Sequence, residues 1–165
     1  MGAHALSATR FNHWIKKKIR GYVAQFKGLE EAAENHDKRK RLPALGISES
    51  LEIAHRVYYS GKGLISLRLT HTVMAMGQMH PIDYYETINY DLIMGHDLRP
   101  RAVFALGYLK AFASYTRKEL KEKFNLEDEW SKRGTMPKEE NFKNWNIVPE
   151  GIRSEERRVG KECRL

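Results

Sequence analysis

The sequence predicts an all-α protein, a small helical bundle with a long N-terminal amphipathic helix and an extended C-terminal segment. Three observations lead to this prediction. Apolar residues recur at three- and four-residue steps in the N-terminal part, Pro and Gly stand at positions typical of helix starts and ends, and the periodicity is lost after Leu126. With 165 residues the chain fits one domain with additional ends.

The first element is a predicted helix over about residues 8–37, within a basic amphipathic arm at residues 1–43. The first 29 residues of the chain contain no acidic residue. One face carries the apolar residues Phe11, Trp14, Ile15, Ile19, Tyr22, Val23 and Phe26. Lys16, Lys17, Lys18, Arg20 and Lys27 lie mostly on the other side. Pro43 ends the arm and marks a boundary to the domain that follows.

The middle of the chain, residues 44–125, is predicted to form the bundle. Helices are expected over residues 49–59, 64–79, 81–94 and 100–124, with a turn at residues 60–63. Pro81 and Pro100 suit the first position of a helix. Residues 65–72 taken by themselves alternate like a strand, but the length and the Met content of this segment favour a helix.

Residues 126–152 are predicted to be an extended docking segment. Trp130, Phe142 and Trp145 appear singly among polar residues there, and the third tryptophan, Trp14, lies in the arm. Isolated aromatic residues on extended ends are typical of anchors that dock onto another surface. The alternative, that they fold back onto their own domain, carries equal weight.

The positive charge is concentrated at the two ends of the chain. Residues 1–43 contain 10 Lys or Arg and 4 Asp or Glu, whereas residues 44–152 contain 14 of each. Residues 153–163 resemble the in-frame translation of a sequencing-library adapter, so we expect residues 153–165 to be an artefact and the natural end to lie near Ile152 or beyond it. The single cysteine, Cys163, then has no biological meaning.

No motif indicates catalysis, a metal site or a cofactor. Glu52-x-x-His55 has the spacing of a carboxylate and an imidazole on one helical face, but a di-iron site requires a second such pair, which is absent. Gly61-Lys62-Gly63 lacks the rest of a phosphate-binding loop and is better explained as a turn. We therefore predict a protein without catalytic activity and without a small-molecule substrate.

The first functional hypothesis is a structural accessory subunit of a large mitochondrial assembly, a respiratory-chain or ATP synthase complex. It combines a bundle without a catalytic motif, a basic amphipathic N-terminus and aromatic extremities. The expected location is mitochondrial and associated with the inner membrane, without a transmembrane helix, because no stretch approaches 18 consecutive apolar residues. The predicted partner-binding residues are Phe11, Trp14, Ile15, Lys16, Lys17, Lys18, Arg20, Trp130, Phe142 and Trp145.

Two other hypotheses remain open from the sequence. The arm could bind RNA, as in a mitochondrial ribosomal protein, or anionic lipid, although the neutral middle of the chain disfavours RNA. An enzyme with a site built from Tyr84, Tyr85, Asp91 and His96 has no supporting motif.

Overall fold

The computed structural model describes residues 3–32, 49–75 and 78–154, with the side chains of the first helix from residue 6 to residue 28. This part of the chain is an α+β structure with a four-stranded antiparallel sheet and a separate two-stranded sheet. The predicted all-α class is therefore wrong. Pro43, the end of the predicted arm and the tail from residue 155 lie outside the described residues.

The elements follow one another in the order helix, meander, helices and hairpin. They are α1 (Ala3–Ala32), β1 (Ser50–Gly61), β2 (Leu64–Met74), β3 (Ile82–Asp91), β4 (His96–Asp97), α2 (Pro100–Val103), α3 (Tyr108–Phe124), α4 (Glu129–Gly134), a 3-10 turn (Glu139–Asn141), β5 (Trp145–Val148) and β6 (Gly151–Ser154). The larger sheet has the order β1-β2-β3-β4, and β5 pairs with β6.

The three helices predicted over residues 49–59, 64–79 and 81–94 are strands β1, β2 and β3. Strand β2 is covered on both faces. Leu67, Leu69 and His71 are buried on the first face of the sheet, and Ser66 is buried on the second face. Burial on two faces weakens the contrast between apolar and polar positions by which a strand is usually recognised.

The turn predicted at residues 60–63 is confirmed for Lys62 and Gly63, but it joins two strands, and β1 continues to Gly61. Lys62 and Gly63 form a two-residue loop between Gly61 and Leu64, which are paired in the ladder. Both loop residues have positive φ, +48° and +75°. Two successive positive φ angles are the hairpin turn that matches the natural twist of antiparallel strands.

Helix α1 packs on the first face of the sheet, which carries the odd-numbered residues of β2. The aromatic rings of Phe11 and Trp14 each lie with their centroids 5.0 Å from that of Tyr90 on β3. The buried cluster comprises Phe11, Leu67, Leu69, Ile88 and Tyr90, flanked by Trp14, Ile15, Tyr22, Ile53, Ile65 and Leu92. The apolar face predicted for the helix is therefore used inside the molecule.

The C-terminal segment covers the second face of the sheet. Trp145 donates its backbone N–H to Thr87, and its carbonyl accepts a hydrogen bond of 2.8 Å from Asn89. The Asn146 amide donates to the Ser66 hydroxyl at 2.9 Å. The segment predicted to be extended is so only in part, because it contains α4 and the 3-10 turn. Its residues Phe142 and Trp145 fold back onto their own domain, as the alternative interpretation allows, whereas Trp130 is exposed.

Helices complete this second layer. The helix predicted over residues 100–124 is present as α2 and α3, separated by residues 104–107, and Gly107 has a φ of +86° immediately before α3. An aromatic cluster joins these helices to β5, and its members are Phe104, Tyr108, Phe112, Phe142 and Trp145. Among the helices described, none combines the length and the hydropathy that a bilayer span requires.

The two C-terminal tryptophans provide a direct test of this packing. Trp145 is 2% exposed and Trp130 is 57% exposed. We expect Trp145→Ala to lower the free energy of unfolding by about 3–5 kcal/mol, because it opens a cavity between sheet and helices. Trp130→Ala should change it by less than about 0.5 kcal/mol. Urea unfolding of both variants measures the difference, and equal effects would contradict the fold.

Candidate functional site

Five polar or aromatic side chains meet between α1 and the first face of the sheet. Lys18 and Tyr22 stand one turn apart on α1, His71 is on β2, and Tyr84 and Glu86 are two residues apart on β3. A spacing of four residues on a helix and of two on a strand places each pair on one face. His71 and Tyr84 are also directly opposite in the ladder. We call these residues the Glu86 cluster.

The Glu86 carboxylate binds both α1 residues of the cluster, Lys18 through an ion pair and Tyr22 through a hydrogen bond. Lys18 Nζ lies 2.7 Å from Glu86 Oε1, and the Tyr22 hydroxyl donates a short hydrogen bond to Oε2. Burial, and next the hydrogen bond to Glu86, raise the pKa of Tyr22 to about 12, so the phenol keeps its proton. Burial by itself would lower the pKa of Lys18, but the hydrogen bonds to Glu86 and Tyr22 outweigh it and the pKa is raised. The ammonium group stays charged.

His71 lies behind this pair and is closed off from solvent, with 0% of the residue exposed. The Tyr84 ring stacks on the imidazole at 4.6 Å between centroids, and the Tyr22 ring lies nearly perpendicular to it at the same distance. Neither ring nitrogen has a hydrogen-bond partner among the described residues, and Nε2 is 3.9 Å from Glu86 Oε2. Burial lowers the pKa of His71, and the nearby Lys18 charge adds to this, while Glu86 opposes it.

This arrangement favours a structural role over a reactive one. A general base must reach the proton that it removes. The imidazole of His71 is enclosed, Glu86 already accepts two donors, and Tyr22 stays protonated. Within the described residues, no three His, Cys, Asp or Glu side chains are arranged to hold a metal ion. The cluster therefore fixes α1 on the sheet by its charged and aromatic contacts.

An open cleft of about 240 Å³ lies beside the cluster, between the second half of α1 and the end of the sheet. Its lining residues are Tyr22, Gln25, Phe26, Leu51, Val73, Gln78, Ile82 and Tyr84. Tyr22 and Tyr84 belong to both the cleft and the cluster. The lining is mostly apolar, with two amides and two phenols as its polar groups, and it contains no ionised side chain.

The predicted partner-binding residues divide into buried and exposed groups. Phe11, Phe142 and Trp145 are 7%, 4% and 2% exposed and pack inside the molecule. Trp14 and Ile15 lie against the core, and Lys18 pairs with Glu86. The exposed members are Lys16, Lys17, Arg20 and Trp130. The buried members can support binding only indirectly, by holding the exposed members in place. That the exposed members bind a partner stays a prediction.

Of the residues considered for an enzyme or a metal site, only Asp91 and His96 come together, directly opposite each other in the β3–β4 ladder. Tyr84 and Tyr85 are neighbours on a strand and point to opposite faces, and Asp91 accepts hydrogen bonds from the backbone N–H groups of Ile93 and Met94. Glu52 and His55 are three residues apart on β1, so they also face opposite sides. A spacing of three residues places two side chains on one face of a helix but on opposite faces of a strand.

The sequence does not predict that Glu86 and His71 lie close together. Their connection is set by the register in which Leu69 is opposite Glu86 and His71 is opposite Tyr84. The available signal is the alternation of residues 65–72, which places Leu67, Leu69 and His71 on one face of a strand. Pairing with a second strand is long-range information that this alternation does not contain.

Comparison with known proteins gives little further information. No protein-family model matches the chain, and no curated protein matches its sequence. Among solved structures, the chain is similar to a crystal structure of a member of the DUF3298 family from Bacteroides fragilis, with a TM-score of 0.47 and 20% sequence identity. The similarity covers 71% of this chain and 46% of that chain, so this chain spans about half the length of that neighbour.

One expectation from the sequence is wrong in part. The description as an all-helical subunit of a mitochondrial respiratory-chain or ATP synthase complex depends on a helical bundle. Strands β1 to β4 form an antiparallel sheet instead. The all-helical part of that description is therefore wrong, whereas the role in a mitochondrial complex stays a prediction.

The buried imidazole makes stability depend on pH. Because the pKa of His71 is lower in the folded protein than the usual 6.5, the unfolded chain binds a proton more readily. The His71 contribution to stability is complete above about pH 6.5 and is lost as the pH falls toward the lowered value, by at most about 1.4 kcal/mol per pH unit. Urea unfolding between pH 7 and pH 5 should show less of this loss in His71→Phe than in wild type. Replacing the exposed His55 by Phe is the control, and an identical pH dependence in wild type and His71→Phe would contradict the assignment.

Removing the carboxylate should loosen α1. Glu86→Ala leaves Lys18 and Tyr22 without their acceptor, which costs about 1–3 kcal/mol for partly buried groups. We expect amide hydrogen exchange in α1 to become faster while that in α3 is unchanged. Glu122→Ala, which breaks an exposed pair with Lys118, is the matched control and should leave α1 protected. Unchanged α1 exchange in Glu86→Ala would show that the cluster does not hold the helix.

Proposed function

We propose that this chain is a binding protein without catalytic activity, which docks onto an acidic surface of a neighbouring protein through the outer side of α1. The observation that carries this proposal is the placement of the helix. Its apolar side is buried on the sheet, and Lys16, Lys17 and Arg20 stand exposed on the opposite side. A fixed helix with a cationic outer side is a surface on which long side chains can meet carboxylates.

The charge on this side of α1 has no internal compensation in the described part of the chain. Lys16, Arg20 and Lys27 fall within about 40° of one another on a helix of 3.6 residues per turn. Between residues 6 and 28 the helix carries no acidic side chain, and among the described residues no ion pair involves these three cations. Lys18 is different, because its ammonium group is already paired with Glu86.

The structure bears on the choice between protein, lipid and RNA. An amphipathic helix binds a membrane surface by burying its apolar side, and here Phe11, Trp14 and Tyr22 occupy that side against the sheet. Single-stranded RNA is usually held by exposed aromatic rings, and the aromatic residues of α1 face the sheet. An acidic protein surface requires neither feature.

A second exposed surface supports assembly with other proteins. Phe124, Leu126 and Trp130 are 63%, 38% and 57% exposed at the junction of α3 and α4. These helices belong to the layer on the second face of the sheet, opposite α1. Exposed aromatic and aliphatic residues close together in the chain are typical of protein-binding sites. Contacts on two sides suit an accessory subunit that joins neighbours.

RNA is the second candidate partner, because a row of exposed cations also fits a phosphate backbone. The mitochondrial location predicted from the basic amphipathic N-terminus stays a prediction.

A binding assay with three defined probes separates these partners. Wild type should bind poly-L-glutamate more tightly than a duplex RNA or vesicles of phosphatidylcholine and phosphatidylserine. The triple variant K16A/K17A/R20A should weaken poly-L-glutamate binding by roughly tenfold, since each exposed ion pair contributes roughly 0.2–1 kcal/mol. Fluorescence anisotropy at several salt concentrations measures the affinities.

The matched control is K110A/K138A/K143A, which removes three exposed cations from the rest of the chain. It should leave the affinity for poly-L-glutamate within about threefold of wild type. An equal loss in both triple variants would mean that overall charge, not α1, attracts the probe. Tighter, steeply salt-dependent binding to duplex RNA would replace the proposal with the second candidate.

A further inference from the structure

The outer edge of β1 is a second surface with a defined partner chemistry. Strand β1 is the first in the order β1-β2-β3-β4, and among the described strands it pairs only with β2. It is 12 residues long, which is long for an edge strand. The outer N–H and C=O groups of such a strand form a template for one more strand.

The side chains of β1 determine which part of the edge can pair. The ladder with β2 is irregular between Val57 and Tyr59, so the regular part of β1 runs from Ser50 to Val57. Glu52, Ala54 and Arg56 lie on the second face of the sheet and are exposed. Among the described residues no ion pair involves Glu52.

The spacing of these residues is self-complementary. In an antiparallel pair related by a two-fold axis, one residue stands opposite its own copy, and positions equally far from it on either side face each other. With Ala54 at the axis, Glu52 of each copy stands opposite Arg56 of the other, and Leu51 stands opposite Val57. Val57 is 48% exposed in the single chain, so the apolar pair would bury new surface.

Neighbouring registers do not place Glu52 opposite Arg56. With Ile53 at the axis, Glu52 would stand opposite Ala54, and with His55 at the axis, Arg56 would stand opposite Ala54. Opposite charges directly across a strand pair stabilise it, and like charges destabilise it. The register at Ala54 therefore brings together both ion pairs and both apolar pairs.

We infer that two copies of this chain associate through antiparallel pairing of their β1 strands, centred on Ala54, to form one continuous eight-stranded sheet. Both α1 helices then lie on the same side of that sheet, because a two-fold axis perpendicular to the sheet keeps its faces. The basic outer sides of the two helices remain exposed. This association is independent of the partner proposed for α1.

Charge reversal across the β1 pair provides the test. Wild type should show a concentration-dependent monomer–dimer equilibrium in sedimentation velocity. Glu52→Arg places two arginines opposite each other in both pairs, and Arg56→Glu places two glutamates there, so each variant should weaken the dimer by at least about tenfold. Glu122→Arg on the exposed side of α3 is the control and should dimerise like wild type.

Combining the two charge reversals makes the test specific, because it restores opposite charges across the strand pair. An equimolar mixture of E52R and R56E should form a mixed dimer, because each arginine of one variant then faces a glutamate of the other. The double variant E52R/R56E should dimerise by itself. Recovery in these two samples also shows that the single variants are folded. A wild type that stays monomeric at all concentrations, or a dimer that is unchanged by E52R and R56E, would overturn the inference.

Discussion

The carboxylate of Glu86 joins the N-terminal helix to the central strands, and the placement of that helix determines much of what the molecule presents to solvent. Lys18 and Tyr22 reach the carboxylate from α1, and the Tyr22 ring packs perpendicular to the His71 ring. The apolar residues of α1 bury at the same time on β2 and β3. Hydrophobic burial supplies most of the attraction, while the polar contacts select one position of the helix along the sheet. The exposed cations follow from this selection, because they occupy the side of α1 that remains.

Strand β2 is the second constraint, since each of its faces supports a different layer. On the first face it carries the residues beneath α1. On the second face the Ser66 hydroxyl accepts hydrogen bonds from the Asn146 amide and from the backbone N–H of Ile147. These contacts bring the C-terminal segment and its aromatic cluster onto the sheet. The consequence is a three-layer domain whose two outer surfaces differ in character, cationic over α1 and apolar around Trp130. This difference suits the two binding surfaces proposed for the chain.

The sequence predicts the helices of this chain better than its strands, for physical reasons. A basic amphipathic helix is encoded locally, and α1 forms over Ala3–Ala32 with its apolar and basic residues on opposite sides. The alternation of residues 65–72 is a correct strand signal, but the length of the apolar run up to Met79 favours a helix in its place. What resolves the conflict is pairing with β1 and β3, which lies outside any local window. The same holds for the site. Lys18 and Tyr22 are recognisable as neighbours on a helix, whereas their meeting with Glu86, 64 residues from Tyr22, depends on the tertiary fold.

The position of α1 on the sheet is the claim on which the cluster and the binding surface both depend. The most direct measurement is a nuclear Overhauser spectrum of the aromatic protons at neutral pH, because it detects pairs of protons within a few ångströms. We expect cross-peaks from the Tyr22 ring to the His71 ring and from the Trp14 ring to the Tyr90 ring, whose centroids are 4.6 Å and 5.0 Å apart. A helical α1 whose aromatic rings show no cross-peaks to the sheet would contradict it.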